Sequence, residues 1–167
     1  MSNLPPALIE AAERVIEAHR TAGTRVAVAE SCTGGLVAAA LTEVAGSSEV
    51  FDRAWVTYSN EAKVKELGVP NEVLEMFGAV SIATAWAMAR GALVQSTANL
   101  AVSITGIAGP GGAVAGKPVG TVVFARAERG GAPGDIAADS RLFEGEDRGG
   151  VRFQAALCAL ELLLPSP

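Results

Sequence analysis

Histidine is almost missing from this chain: His19 is the only one in 167 residues. A serine or cysteine nucleophile would therefore have to find another base unless His19 itself supplies it. Cysteine is scarce too, and the spacing of Cys32 and Cys158 fits neither a zinc knuckle nor a disulfide framework, which points to a reducing cytoplasm. No metal and no organic cofactor is expected. Aromatic residues make up 5% of the chain and do not interleave with basic ones, while 13 Lys and Arg against 18 Asp and Glu leave a net charge of −5. That balance removes the long-range attraction a nucleic acid or an anionic membrane surface exploits, so neither is an expected partner and any phosphate must be gripped locally. Long apolar runs are missing as well, since Gly, Ser or charge breaks every Ala-rich stretch before the roughly 20 residues of a spanning helix. Met1 to Ile9 carries two prolines and no basic region leading into an apolar stretch, so no secretory signal is expected.

What the chain does have is apolar mass. Half of its residues are hydrophobic, enough to bury a core without disulfides or metal, and the length fits a single domain over 1–167. From Pro5 to Arg20, Leu8, Ile9, Ala12, Val15 and Ile16 recur at helical spacing, with Gly23 just beyond the end. Arg25 to Ala29 reads as a short buried strand and Gly34 to Val44 as an Ala-rich helix. Arg53 to Tyr58 reads as a second strand, followed by helices from Asn60 to Leu67 and Asn71 to Phe77 with Pro70 between them. Ser81 to Gln95 is a long helix capped by Ser81, and Leu100 to Thr105 a third strand. A glycine-rich loop from Gly106 to Gly116 comes next. Gly120 to Arg126 and Ile136 to Phe143 form a predicted hairpin, and a helix runs from about Asp147 to Leu164. Alternating strands and helices with this ending predict an α/β fold: a three-layer sandwich around a mixed, mostly parallel sheet, closed by a C-terminal hairpin plus helix.

Open α/β sheets bind ligands at the carboxyl ends of their strands, where three distinctive segments fall: Glu30 to Gly35, Tyr58 to Lys63 and Thr105 to Gly116. Ser31 stands at a helix mouth, where free N–H groups favour a developing negative charge. A plain helix cap would use the same residue types. The turn lacks both the G-x-S-x-G elbow and the phosphate-binding P-loop pattern. With His19 on the edge of a helical stripe, lysine is the remaining candidate base, and Lys63 follows the second strand by one turn. To accept a proton it needs a pKa lowered by desolvation or a nearby cation; otherwise it is a solvated helix lysine like Lys65. The glycines of the third segment let backbone N–H groups approach an anion closely, although an ordinary flexible loop has similar composition. Candidate substrate contacts are thus Glu30, Thr33, Gly34 and Gly35, then Asn60, then Gly106, Gly109 and Gly111. Lys117 and Arg148 are candidates for a phosphate, with Arg152 four residues on along the same helix face.

Taken together, Ala29-Glu30-Ser31-Cys32-Thr33-Gly34-Gly35, Val56-Thr57-Tyr58-Ser59-Asn60-Glu61-Ala62-Lys63, Gly78-Ala79-Val80-Ser81, Thr105 to Gly112 and Lys117-Pro118-Val119-Gly120-Thr121-Val122 closely resemble the CinA C-terminal family. The resemblance runs from the first helix to the end of the chain, and it is the joint occurrence of the motifs that makes it specific. It implies a serine amidase acting on a pyridine nucleotide, nicotinamide mononucleotide, with Ser31 as nucleophile, Lys63 as base, and Tyr58 and Thr105 in the same pocket. A GDR-type signature of the family has its counterpart at Gly145 to Arg148, where Glu146 is an extra acidic residue. Other members carry an additional N-terminal domain linked to pyrophosphatase activity, which is not expected of this chain. A homodimer is the family-style expectation. The competing readings are a nucleotide-binding or competence-related interaction domain without turnover, and Cys32 as an alternative nucleophile.

Overall fold

A computed structural model describes residues 2–166, and Met1 and Pro167, the ends of the predicted single domain, lie outside the described residues. The chain opens with helix α1 (Pro6–Ala22), whose buried stripe includes Leu8, Ala12, Val15 and Ile16 and which ends on Gly23 in the left-handed conformation. Strand β1 (Val26–Glu30) follows and is buried throughout. Helix α2 (Leu36–Glu43), strand β2 (Phe51–Val56), and helices α3 (Asn60–Leu67), α4 (Asn71–Phe77) and α5 (Ile82–Val94) come next. Strand β3 (Leu100–Gly106), the antiparallel pair β4 (Thr121–Glu128) and β5 (Ala137–Leu142), and helix α6 (Arg148–Leu162) complete the order.

The sheet order is β2-β1-β3-β4-β5. β1 pairs in parallel with β2 and β3, and β4 pairs antiparallel with β3 and β5, so β4 runs against the other four described strands. This is the predicted mixed sheet with its terminal hairpin. Helices α1, α2 and α6 cover one face over a core that includes Val28, Val102, Ile104, Val122 and Phe124. Helices α3 and α5 cover the other, over Ala27, Ala29, Ala101 and Ala125. The two residue sets alternate along each strand, as a sheet buried on both faces requires.

Most element boundaries shift by one or two residues from those read in the sequence, and two of these shifts border the first two strand ends. The second strand begins at Phe51, two residues early, because Val26 pairs with Phe51, and the chain leaves the sheet after Val56. Helix α2 starts at Leu36, two residues late, because Gly34 and Gly35 take φ of +61° and +96° in the preceding turn, so Ser31 lies in that turn and not, as expected, at the helix mouth. Ser81 caps α5 by accepting from Thr84 N–H, and Asp147 caps α6 by accepting from Gly150 N–H. His19 is structural. Its Nδ1 meets Thr24 Oγ1 at 2.7 Å and its Nε2 meets the Leu163 carbonyl at 2.6 Å, tying α1 to the end of α6.

Candidate active site

The parallel register sets Ala29 beside Trp55 and Ser103, and Glu30 beside Val56 and Ile104. One residue further, Ser31 comes between Thr57 and Thr105, held by Ser31 N–H to the Ile104 carbonyl and Thr57 N–H to the Glu30 carbonyl, both 2.9 Å. Three hydroxyl side chains therefore stand in a row across the carboxyl ends of three neighbouring strands. Alternation aims them at the layer of α3 and α5, since Ser103, two residues before Thr105, bonds to the Ala85 carbonyl of α5.

Helix α3 brings the amine to this row. Ser59 caps its start by accepting from Ala62 N–H at 3.0 Å, which fixes Lys63 in the first turn. Lys63 Nζ lies 2.9 Å from Ser31 Oγ and donates to the Thr57 carbonyl at 2.8 Å. The residue is 1% exposed, and among the described residues no carboxylate forms an ion pair with it. Burial without a counter-charge penalises the ammonium and lowers its pKa to about 8. The neighbouring Cys32 thiol is pushed up to about 11 by the same desolvation. It stays protonated at neutral pH and packs with the apolar core, so Cys32 is a poor rival to Ser31 as nucleophile.

A cavity of about 290 Å³ opens over these groups. Of the residues expected from the sequence, Ser31, Lys63, Tyr58, Asn60, Thr105, Gly106, Gly109, Gly111 and Arg148 line it. Arg148 reaches in from the first turn of α6, donating to the Gly109 carbonyl at 2.7 Å and to Tyr58 Oη at 2.8 Å. Thr105 Oγ1 donates to the Ala79 carbonyl at 2.8 Å. Gly106 has no room for a side chain, because a Cβ there would sit 2.8 Å from Val122 Cγ2 and 3.1 Å from Cys32 Sγ. A larger concavity, about 910 Å³, is an open trough along α1 lined by Glu10, Glu13, Arg14 and Glu17. It brings no nucleophile to a base, and the smaller cavity, where hydroxyl, amine and guanidinium converge, is the better candidate site.

Five expected substrate contacts do not reach the cavity. Glu30 precedes Ser31 by one residue and so faces the opposite layer. Fully buried, its carboxylate accepts from the N–H groups of Gly35, Val37 and Ala38 at 2.9–3.2 Å and caps α2. Thr33 is buried with its hydroxyl unpartnered, and Gly34 and Gly35 form the left-handed bend behind Ser31. Lys117 is spent on the Phe77 carbonyl at 2.9 Å. Sequence reasoning in turn passed over Ala79 and Val80, which form a wall of the cavity. The signal was present in Gly78-Ala79-Val80-Ser81: the Gly78 carbonyl accepts from both the Ser81 and Thr84 hydroxyls. Arg152 is a supporting contact of the same kind, donating to the carbonyls of Cys32 and Thr33 at 3.2 and 3.0 Å and bracing the turn from α6.

Among the described residues no group of three or more His, Cys, Asp or Glu side chains is arranged to hold a metal, and no helix is long and apolar enough to cross a membrane.

Comparison with known proteins gives a consistent result. Residues 9–166 match the family described as the CinA C-terminal domain. The nicotinamide-nucleotide amidohydrolase PncC of Escherichia coli K12 is 49% identical over 156 residues, 93% of this chain and 92% of that protein. A putative competence-damage inducible protein of Caldicellulosiruptor saccharolyticus is 59% identical over 110 residues, 66% of this chain. The chain spans 27–35% of the length of that protein and of two similar relatives. The crystal structure of the competence/damage inducible protein CihA from Agrobacterium tumefaciens superposes with a TM-score of 0.92 at 49% identity, covering 98% of this chain and 97% of that one.

Proposed function

The chain belongs to the CinA C-terminal domain family, and on that premise we propose that it hydrolyses the carboxamide of nicotinamide mononucleotide to nicotinate mononucleotide and ammonia. The observation that carries the reading is the buried Lys63 amine, 2.9 Å from Ser31 Oγ and without a carboxylate partner. An amine kept from its usual ion pair is neutral far more often at neutral pH than a solvated lysine, and only the neutral form can accept the hydroxyl proton.

Ser31 Oγ attacks the carboxamide carbon as its proton passes to Lys63 Nζ. The carbonyl oxygen becomes an oxyanion and rests on backbone N–H groups of the Ser31 turn and the glycine loop, which supply the main electrostatic stabilisation. Lys63 then returns the proton to the amide nitrogen, the C–N bond breaks and ammonia leaves an acyl-serine. Water attacks the ester with Lys63 again accepting a proton, that proton goes back to Ser31 Oγ as the ester bond breaks, and the carboxylic acid product ionises, its proton taken up by the released ammonia. Throughout, the Thr57 carbonyl holds Nζ in line with Ser31 Oγ. Arg148 is the guanidinium available to the nucleotide phosphate, which would replace the Gly109 carbonyl and Tyr58 Oη as its acceptors with a charged, bidentate one.

The test is release of ammonia and nicotinate mononucleotide by the purified protein, run beside nicotinamide and its riboside. Ser31→Ala is expected to abolish turnover, whereas retention of native activity in that variant rules out the acyl-enzyme. The ranking of the three substrates measures what the phosphate contributes.

A further inference from the structure

Thr105 stands beside the nucleophile with its one hydroxyl proton already committed. It is 1% exposed, and it donates to the Ala79 carbonyl at 2.8 Å, an acceptor that is part of the rigid turn pinned by Ser81 and Thr84. A threonine hydroxyl has one donor and two acceptor positions. With the donor used, what Thr105 offers the cavity is acceptor capacity only. Lys63 does not consume it, because Nζ points to Ser31 Oγ and the Thr57 carbonyl. The oxygen is therefore unsuited to stabilising an oxyanion, which needs a donor, and suited to a group that brings a hydrogen.

We infer that Thr105 is a specificity-determining residue that accepts a hydrogen bond from the substrate's carboxamide NH2, favouring an amide over an ester or a carboxylate in the same position. This rests on the amidase reading above and deepens it. Ser31, immediately after β1, and Thr105, on the adjacent parallel β3, continue the lateral register of Glu30 and Ile104, about 4.8 Å apart along the hydrogen-bonding direction. A carboxamide whose carbon is over Ser31 Oγ therefore presents one of its substituents to Thr105 Oγ1. If that substituent is NH2, a buried acceptor is satisfied. If it is an ester oxygen or a product carboxylate, two oxygen lone pairs face each other in a site with little water, at the cost of a lost hydrogen bond. The same repulsion helps expel the carboxylate product once the amide is gone.

The experiment compares kcat/KM for nicotinamide mononucleotide and for the methyl ester of nicotinate mononucleotide in native enzyme, Thr105→Val and Thr105→Ser, with circular dichroism confirming the fold. Thr105→Val is expected to lower the amide value about 10- to 100-fold, the loss of one buried hydrogen bond. The ester value should change by less than about 3-fold on the same reasoning, and inhibition by the carboxylate product should tighten. Thr105→Ser, which keeps the hydroxyl, is expected to retain the native amide-to-ester ratio. Loss of the bond to Ala79 disturbs both substrates alike and cancels in that ratio. Equal losses on amide and ester in Thr105→Val overturn the specificity role while leaving the amidase reading intact. If that variant does not fold, Thr105→Ala is measured in its place with the same two outcomes. Failure of native enzyme to cleave the amide overturns the amidase reading itself, and the inference with it.

Discussion

If Lys63 is the base, catalysis must follow its titration, and burial sets where that falls. The amine has a pKa near 8 in place of 10.5. At about pH 7 roughly one tenth of it is neutral, against roughly one part in 3,000 for an unperturbed lysine, a gain of about 300-fold in usable base. The value of kcat/KM is therefore expected to rise about tenfold per unit of pH up to about pH 7, bend near pH 8 and level off by about pH 9. The sign follows from charge: the neutral amine is the active form, so the limb is lost as protons are added. A continuous ammonia assay across this range, with substrate well below KM, gives the profile directly. Lys63→Arg, which cannot lose its proton in that range, should retain no rising limb and little activity. The reasoning is refuted if the native rate is flat through pH 8 or falls as pH rises through it, or if Lys63→Arg keeps the native profile.

Lys63→Met should make the protein more stable while inactivating it. The lowered pKa means the native state binds fewer protons than the unfolded chain between about pH 8 and 10.5, so the native protein gains stability as pH rises through that window. Below it the cost of burying the ammonium is complete, about 3 kcal/mol by linkage, and about 1 kcal/mol of lost hydrogen bonding offsets part of this. Denaturant midpoints at neutral pH should place Lys63→Met about 2 kcal/mol above native, with the gap closing at high pH. Glu30→Gln should lower stability by about 1–3 kcal/mol, because an amide NH2 would face backbone donors where the carboxylate now accepts three bonds. Thermal melts read this loss, and KM should hardly move since Glu30 is outside the cavity. His19 is held below its ordinary pKa, mainly by burial and secondarily by Arg126, against the opposing bond to Leu163. The unfolded chain therefore takes up the proton first, and native stability should fall as pH drops below about 6.5. That loss should be flatter in His19→Gln when unfolding is followed between about pH 7 and 5.

The sequence by itself determined the periodicities, and with them the order of elements and the three layers. Val26 to Ala29 reads as a doubly buried strand, and Leu8, Val15 and Ile16 recur at the spacing of one helix face, as both prove to be. It also placed Ser31 just past the end of a buried strand and, with histidine so scarce, left Lys63 as the base to consider, but the helix mouth expected at Ser31 lies four residues on and is filled by the Glu30 carboxylate. Only the tertiary structure decided which neighbours of Ser31 share its cavity. Side chains alternate across a strand, so a single residue's offset sends Glu30 to the layer of α2 and Ser31 to the layer of α3, a distinction the shared motif hides. Burial is likewise a property of residues distant in the chain. Lys63 and Lys65 differ by two positions, yet only Lys63 is buried, against Ser31 and Thr57 just past the ends of β1 and β2, and that burial is what lowers its pKa. For Lys117 and Arg148 the outcome turned on which carbonyls were within reach, Phe77 for one and Gly109 for the other, and these contacts exist only once the loops have closed over the sheet.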